Sequence, residues 1–316
     1  MKNAKIRKNL ITGTWKAKLF YVCVLALPIL QYIIFGFGAQ LNSLLLSFKG
    51  YDMQVGDYVF SMEAMKYNYR QFFFELSSSS SNLGKWFLNS FYAWFFTAVI
   101  GSALALFFAY YIAKKAKGSS FFRLMLFMPS IIPPIALGLI FRRYTDKFLF
   151  DFFGLFDWDF GKPFSGLPKQ NFTAAIWYNL LFGFGVNVLM FSGAMSRVPE
   201  SLTEYASLDG IKPLQEFIYI MMPLIFPTFS TFFVMGIGGY FTNQLNLYSF
   251  YGARADQSIW TLGYFMHVKV VGDGGGGALA DFPYISAYGM IFTLVAVPVT
   301  LFVKWVMDKI TPDVEY

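Results

Sequence analysis

Apolar positions in this chain gather into six long stretches, at about 19–48, 86–113, 121–140, 174–195, 218–241 and 284–306, separated by segments richer in charge and glycine. A helix of roughly 20 apolar residues crosses ~30 Å of hydrocarbon, and in lipid a helix satisfies its own backbone polar groups. The pattern predicts an all-α, polytopic membrane protein with six transmembrane helices. Pro28, Pro129, Pro133, Pro134, Pro223, Pro227 and Pro298 fall within or at the ends of these stretches, which predicts kinks and not gaps in the fold. Between the first two spans, Met62, Met65, Tyr69, Phe72, Phe73 and Leu76 recur at helical spacing, so an amphipathic helix is expected there. The serines that follow it, Ser77 to Ser81, have the composition of a flexible connector.

Composition agrees with lipid as the solvent. Of 316 residues, 56% are hydrophobic, 21% aromatic and only 14% charged, well outside the range of ordinary soluble domains. One cysteine, Cys23, and one histidine, His267, exclude a disulfide framework and a Cys/His metal site; Cys23 reads as a helix-packing residue. The net charge of +7 does not point to nucleic acid. The basic residues sit where a membrane protein places them for orientation, in Lys2, Lys5, Arg7, Lys8, Lys16 and Lys18 and in the short stretch holding Lys114, Lys115, Lys117 and Arg123. The apolar run after position 18 exceeds the roughly 7–15 residues of a signal-peptide core, so a retained first span is expected. Residues 1–18 then form a basic cytoplasmic N-terminus and 19–316 one six-helix transmembrane domain in a plasma membrane, with both termini cytoplasmic. By alternation, 49–85, 142–173 and 243–283 face outward and 197–217 faces inward.

That inward segment has the most defined local chemistry. Ser201 and Glu204 have the S-x-x-E spacing of a capping box, Gly210 suits the left-handed residue that ends a helix, and Pro213 suits the first turn of the next. Two short helices joined by a bend, exposed between the fourth and fifth spans, would form a rigid knob. Its residues Glu204-Tyr205-Ala206, then three residues, Gly210, then nine residues, Ile220-Met221-Met222-Pro223 resemble the EAA loop of ABC importer permeases, in which Glu-Ala-Ala, Gly and Ile-x-Leu-Pro stand at the same spacing. Tyr205 and Met222 depart from that pattern. The string Ala206-Ser207-Leu208-Asp209-Gly210 is similar to the carbohydrate-type form, as is the entry into the last span at 284–289.

This resemblance implies a type I importer permease architecture. It implies that 204–210 seats in a cytosolic ATPase and that ATP and Mg are bound by that partner. A second, different permease subunit, two ATPase subunits and an extracellular substrate-binding protein would complete the assembly, with sugar or oligosaccharide as cargo. The chain itself has no G-x-x-x-x-G-K-[ST] loop. Its glycine run at 272–277 lacks the lysine and reads as a flexible outer loop. No nucleophile stands beside a base, so no enzymatic activity and no bound cofactor are expected in this chain.

Asn187, Asn243 and Gln244 are candidates to line the substrate path, since buried amides can bond sugar hydroxyls. Interhelical glue is the competing reading. It stands level for Asn187 and Asn243 and leads for Asn179, Gln244 and Asn246. The aromatic segment 147–164 reads as interface anchoring before sugar stacking, and Arg142, Arg143 and Asp146 as a solvated cap. The spans carry almost no charge away from their ends, which argues against the alternative of a stand-alone secondary carrier or channel, where coupling ions usually need such groups.

Overall fold

The computed structural model describes residues 15–78, 81–156, 161–272 and 277–310. Several sequence features lie outside the described residues: Lys2, Lys5, Arg7 and Lys8, part of the serine connector, Asp157, Trp158, Asp159 and Phe160, most of the glycine run, and the last six residues. Helix α1, Lys18–Leu46, is the first span, and none of its most apolar window is buried within the chain. Its last turns, Ala39–Leu46, approach the last long helix, Asp281–Ile310, and the rest, apolar all round, needs lipid or another subunit around it. Cys23 is exposed on it, so it is not buried against another helix among the described residues.

A short antiparallel hairpin that the apolar pattern does not announce follows α1. Strand β1, Lys49–Asp52, pairs with β2, Asp57–Phe60, with Lys49 opposite Phe60 and Asp52 opposite Asp57. The amphipathic helix is present as α2, Met62–Ser77, its N-cap Ser61 Oγ accepting from the N–H of Ala64 at 3.3 Å. Its buried stripe differs from the expected one: Asn68 and Phe72 are buried, while Met62, Phe73 and Leu76 are exposed. Polar contacts select this face. Asn68 donates to the carbonyls of Ser47 and Lys49 at 3.2 and 3.1 Å, and Glu75 accepts from the hydroxyls of Tyr284 and Tyr288 at 2.9 and 2.8 Å.

The second span is α3, Leu83–Ala113. The third is broken where a kinked but continuous helix was expected: α4, Ser119–Ile131, and α5, Pro134–Gly154, meet at 105°. A residue before proline is pushed out of the helical region, and two prolines in succession do this twice, leaving Ile132 at ψ 135° and Pro133 at ψ 129°. Helix α5 also runs well past the predicted end at 140, so Phe148, Phe150, Phe152 and Phe153 are helical. Arg142 and Asp146 are no solvated cap. Arg142 donates to the carbonyl of Phe250 at 2.5 Å, and Asp146 accepts from the N–H of Phe164 at 2.8 Å and from Ser165 Oγ at 2.5 Å.

The fourth span consists of α6, Pro168–Phe182, and α7, Gly185–Met195. Then come the short α8, Glu200–Leu208, the fifth span α9, Pro213–Thr242, the short α10, Leu247–Tyr251, and α11, Leu262–Val271, and the last span α12, Asp281–Ile310. Side-chain contacts fix the path. Lys115, after α3, reaches Glu200, after α7, at 2.9 Å. Trp86, at the start of α3, donates to the carbonyl of Gln257, after α9, at 2.8 Å. Because α6–α7 is long enough to cross and ends beside Lys115, the bent pair α4–α5 must itself cross. That gives six crossings among the described residues.

Two apolar clusters hold the helices. One joins Phe72, Trp86, Tyr178, Phe250, Trp260, Tyr264 and Tyr288 near the start of α3 and the head of α12. The other, near the opposite end, packs Ala105, Leu106, Ala109 and Ile112 of α3 against Val188, Phe191 and Met195 of α7 and Met221 and Ile225 of α9. Small residues one turn apart on α3 let the helices approach closely, which is how association proceeds where lipid removes the hydrophobic drive.

Candidate coupling loop and translocation path

Helix α8 starts at Glu200, with Pro199 as N-cap and no side-chain cap. The Ser201–Glu204 capping box is therefore not formed, because Pro199 sets the start of the helix before Ser201 is reached. The other end is as the sequence requires. Gly210 lies at φ +71°, its N–H donates to the carbonyl of Ser207 at 3.2 Å, and the N–H of Ile211 donates to Ala206 at 3.0 Å, the paired bonds of a Schellman cap. Pro213 opens α9, and Gln215 Oε1 accepts from the N–H of Lys212 at 3.0 Å.

Glu204, Tyr205, Ser207, Leu208, Asp209 and Gly210 are exposed together on this knob, and Ala206 turns inward and is buried. Its apolar surface is conspicuous: Leu208 is 81% exposed, Leu214 69% and Tyr205 66%. Pro223 is not part of it. It lies further along α9, where it offers no N–H to the carbonyl of Tyr219, and the preceding turn, Phe217–Met221, is widened to π-type.

Two ion pairs tie the knob to the end of α3. Lys114 Nζ stands 2.6 Å from Glu216 Oε1, with the Glu216 side chain 8% exposed, while Lys115 meets Glu200 with both side chains largely in solvent. The hydrogen bond from Lys115, assisted by its charge, holds the Glu200 carboxyl below the usual glutamate range. The hydroxyl of Tyr110 also contacts Glu216 Oε2 at 3.3 Å.

Deeper in the bundle, three backbone breaks converge: the Ile132–Pro133 bend, the Gly183–Phe184 gap between α6 and α7, and the 243–246 segment after α9. Ser130, Ile132, Pro134, Asn179, Gly183 and Asn246 contribute to a pocket of about 140 Å³ between them. Irregular backbone at membrane depth is tolerated only where it is buried in protein or lines a wet cavity. Gly185 makes the close approach possible, since a Cβ there would stand 1.9 Å from the carbonyl oxygen of Leu126.

Of the three path candidates, Asn243 is spent on internal bonds. Its Oδ1 accepts from the N–H of Leu245 at 2.8 Å and its Nδ2 donates to Thr97 Oγ1 at 3.2 Å. This holds Leu245 and Asn246 at φ +49° and +55°, where non-glycine residues are uncommon. Asn187 and Gln244 are half-buried and their amides make no hydrogen bond among the described residues, but neither lines the pocket. Asn179 and Asn246 do, and they also act as glue: Asn246 Nδ2 donates to Asn179 Oδ1 at 2.9 Å, and Asn179 Nδ2 to the carbonyl of Leu245 at 3.1 Å. Ser130 was not foreseen, although its place between Pro129 and Pro133 marks it as a residue in a broken helix. Among the described residues no three of His, Cys, Asp and Glu gather to hold a metal ion.

Comparison with known proteins adds sequence and fold relatives. Residues 99–316 match the family model described as "Binding-protein-dependent transport system inner membrane component". The sn-glycerol-3-phosphate transport system permease protein UgpA of Shigella dysenteriae is 27% identical over 147 residues, 44% of this chain and 47% of the relative. Its Salmonella typhimurium counterpart is 26% identical over 142 residues, 43% and 45% of the two chains. The matched region thus spans about half the length of these curated relatives. In overall fold the chain is similar to a chain of a bacterial alginate ABC transporter in complex with alginate pentasaccharide-bound periplasmic protein, with TM-score 0.75, 15% identity and 94% and 96% of the two chains covered. It is also similar to a chain of a bacterial ABC transporter involved in the import of the acidic polysaccharide alginate, with TM-score 0.71, 16% identity and 98% and 100% covered. With the family model matched over well more than half its length, the chain belongs to the inner-membrane components of binding-protein-dependent transport systems, as a multi-pass helical protein.

Proposed function

We propose that this chain is the non-catalytic permease subunit of an ATP-driven ABC importer. It provides half of a route for a sugar or oligosaccharide and couples to cytosolic ATPase subunits through Glu204–Gly210. The observation that carries this reading is the knob itself: a short helix closed by a Schellman cap, with Tyr205, Leu208 and Leu214 held out in solvent. Apolar side chains on a rigid, anchored helix suit a socket on another protein. In the assembly, ATP and Mg belong to two ATPase subunits, a second and different permease completes the route, and an extracellular binding protein delivers the cargo. The positive-inside rule, applied to Lys114, Lys115 and Lys117, supports a cytoplasmic knob, and we take both termini to lie on that side as well.

A pocket of about 140 Å³ is smaller than the roughly 300–1,000 Å³ of ordinary ligand sites, in keeping with one wall of a shared route, with Asn187 and Gln244 as further candidate path residues on this chain. The relatives handle glycerol 3-phosphate and alginate by name, and we take the cargo to be of that general kind, a sugar or a negatively charged sugar derivative.

The test is purification of the tagged chain from its own membrane in mild detergent, with companions identified by mass spectrometry. An ATPase, a second six-span protein and a binding protein are expected. Leu208→Asp places a charge where the socket would be apolar, and at about 2 kcal/mol for a central interface residue should cut ATPase retention by roughly 30-fold without lowering the amount of chain in the membrane. A chain that purifies alone and transports alone overturns the reading.

A further inference from the structure

The two lysines that follow α3 both reach the coupling loop, but in unequal surroundings. Lys115 and Glu200 are 82% and 79% exposed, and a solvated pair of that kind constrains little. Lys114 and Glu216 differ: the carboxylate is nearly closed off from solvent, the contact is 2.6 Å, and the second carboxylate oxygen meets the hydroxyl of Tyr110, one helical turn earlier on α3. The Tyr110 ring also packs edge-on against Phe217 at 5.3 Å. Glu216 therefore has two partners at the end of α3, Tyr110 in its last turn and Lys114 just past it, while sitting in the first turn of α9. Both charges also suit their helix ends, since the carboxylate lies near the α9 N-terminus and the ammonium at the α3 C-terminus.

We propose that the Lys114–Glu216 pair, braced by Tyr110, is the joint that makes the second and fifth spans move as one body when the coupling loop is displaced. This deepens the importer reading and rests on it. A helix seated in an ATPase delivers its displacement through Gly210 and Pro213 directly to α9. The apolar cluster of α3, α7 and α9 starts just beyond the joint with Ile112 and Met221 and holds mostly aliphatic and aromatic side chains, which can slide. The Glu216 carboxylate, 8% exposed where Lys114 keeps 35%, cannot slide off its partners without being stranded as a buried charge, which is strongly unfavourable. The joint thus fixes register at the end where force enters, and Glu216 is a positioning residue.

The experiment places spin labels at Lys117→Cys and Tyr219→Cys, both exposed, in a Cys23→Ser background of the whole complex, and reads their separation without nucleotide and after trapping with ATP and vanadate. The native pair should give one narrow distribution in both states. Glu216→Gln and Lys114→Met should broaden or shift it by about 2 Å or more, the scale of helix shifts in switching proteins, while ATP hydrolysis continues. The reversed pair Lys114→Glu with Glu216→Lys should narrow it again, and Lys115→Ala should leave it unchanged. A distribution that stays both narrow and unshifted from the native one in both states in Glu216→Gln overturns the proposal. Should Glu216→Gln fail to accumulate, the milder Tyr110→Phe decides in the same way. If the native chain carries no ATPase at all, the importer reading fails, and the same distances in the isolated chain still decide whether the joint locks α3 to α9.

Discussion

Gly210 isolates a single backbone effect. No heavy atom lies within 4 Å of where its Cβ would be, so Gly210→Ala adds no clash and only the strain of a left-handed alanine, about 1–2 kcal/mol. If the bend aims α8 at its partner, ATPase retention should fall roughly 5- to 30-fold in that variant and recover in part in Gly210→Asn, because asparagine tolerates this conformation. Equal losses for alanine and asparagine would mean that the backbone argument is wrong. Gly185 makes the opposite case. There the obstacle is the backbone oxygen of Leu126, which no rotamer can relieve. Gly185→Ala should lower thermal stability in detergent by an amount in keeping with the ~1–3 kcal/mol of overpacking, and an unchanged melting temperature would show that α4 and α7 are not in fixed contact. The sequence makes the first glycine legible, because a helix with Gly just past its end and Pro beyond is a local signal. The second is not, since its reason lies on a helix some sixty positions away. Asn243 shows the same limit. Its type fits a sugar ligand as well as a turn, and the turn shows only in the bonds to Leu245 and Thr97.

Among the helices, apolar length located the spans because lipid imposes one thickness on all of them. It misread the third because hydropathy is blind to backbone direction: 121–140 is apolar on both sides of the Ile132–Pro133 bend. The consecutive prolines were the available signal, and their joint effect on Ile132 and Pro133 exceeds a kink. The bend bears on the proposed route, since it borders the pocket near Ser130 and Asn179. In a Cys23→Ser background, Ser130→Cys should react with a small water-soluble thiol reagent if the pocket is wet. Restoring two helix formers with Pro133→Ala and Pro134→Ala should straighten the pair and slow that labelling about tenfold or more, equivalent to ~1.4 kcal/mol. Equal labelling in both proteins would mean that the prolines do not create the opening. The face of α2 was misread for a related reason. Its apolar residues ring the helix, and the buried stripe is chosen by Asn68 and Glu75, polar positions that an apolar template discounts.

For the molecule as a whole, the crossing number rests on side chains that meet across the chain. Lys115 beside Glu200 and Trp86 beside Gln257 put the ends of α3 on opposite faces, and α6–α7 must then begin on the face where α3 begins. A re-entrant α4–α5 would return to the wrong face, so the broken span crosses despite its 105° angle. Basic residues alone could predict this only by assuming six spans. The argument can be checked with single cysteines in a Cys23→Ser chain, at Gln54 in the hairpin turn, Leu155 after α5 and Lys117 after α3, all exposed. Impermeant maleimide added to intact cells should label Gln54→Cys and Leu155→Cys, and should reach Lys117→Cys only after the membrane is opened. Labelling of Leu155→Cys on the same side as Lys117→Cys would make the bent pair a re-entrant loop. It would also detach α8 from the end of α3 and remove the physical basis for a joint between Lys114 and Glu216.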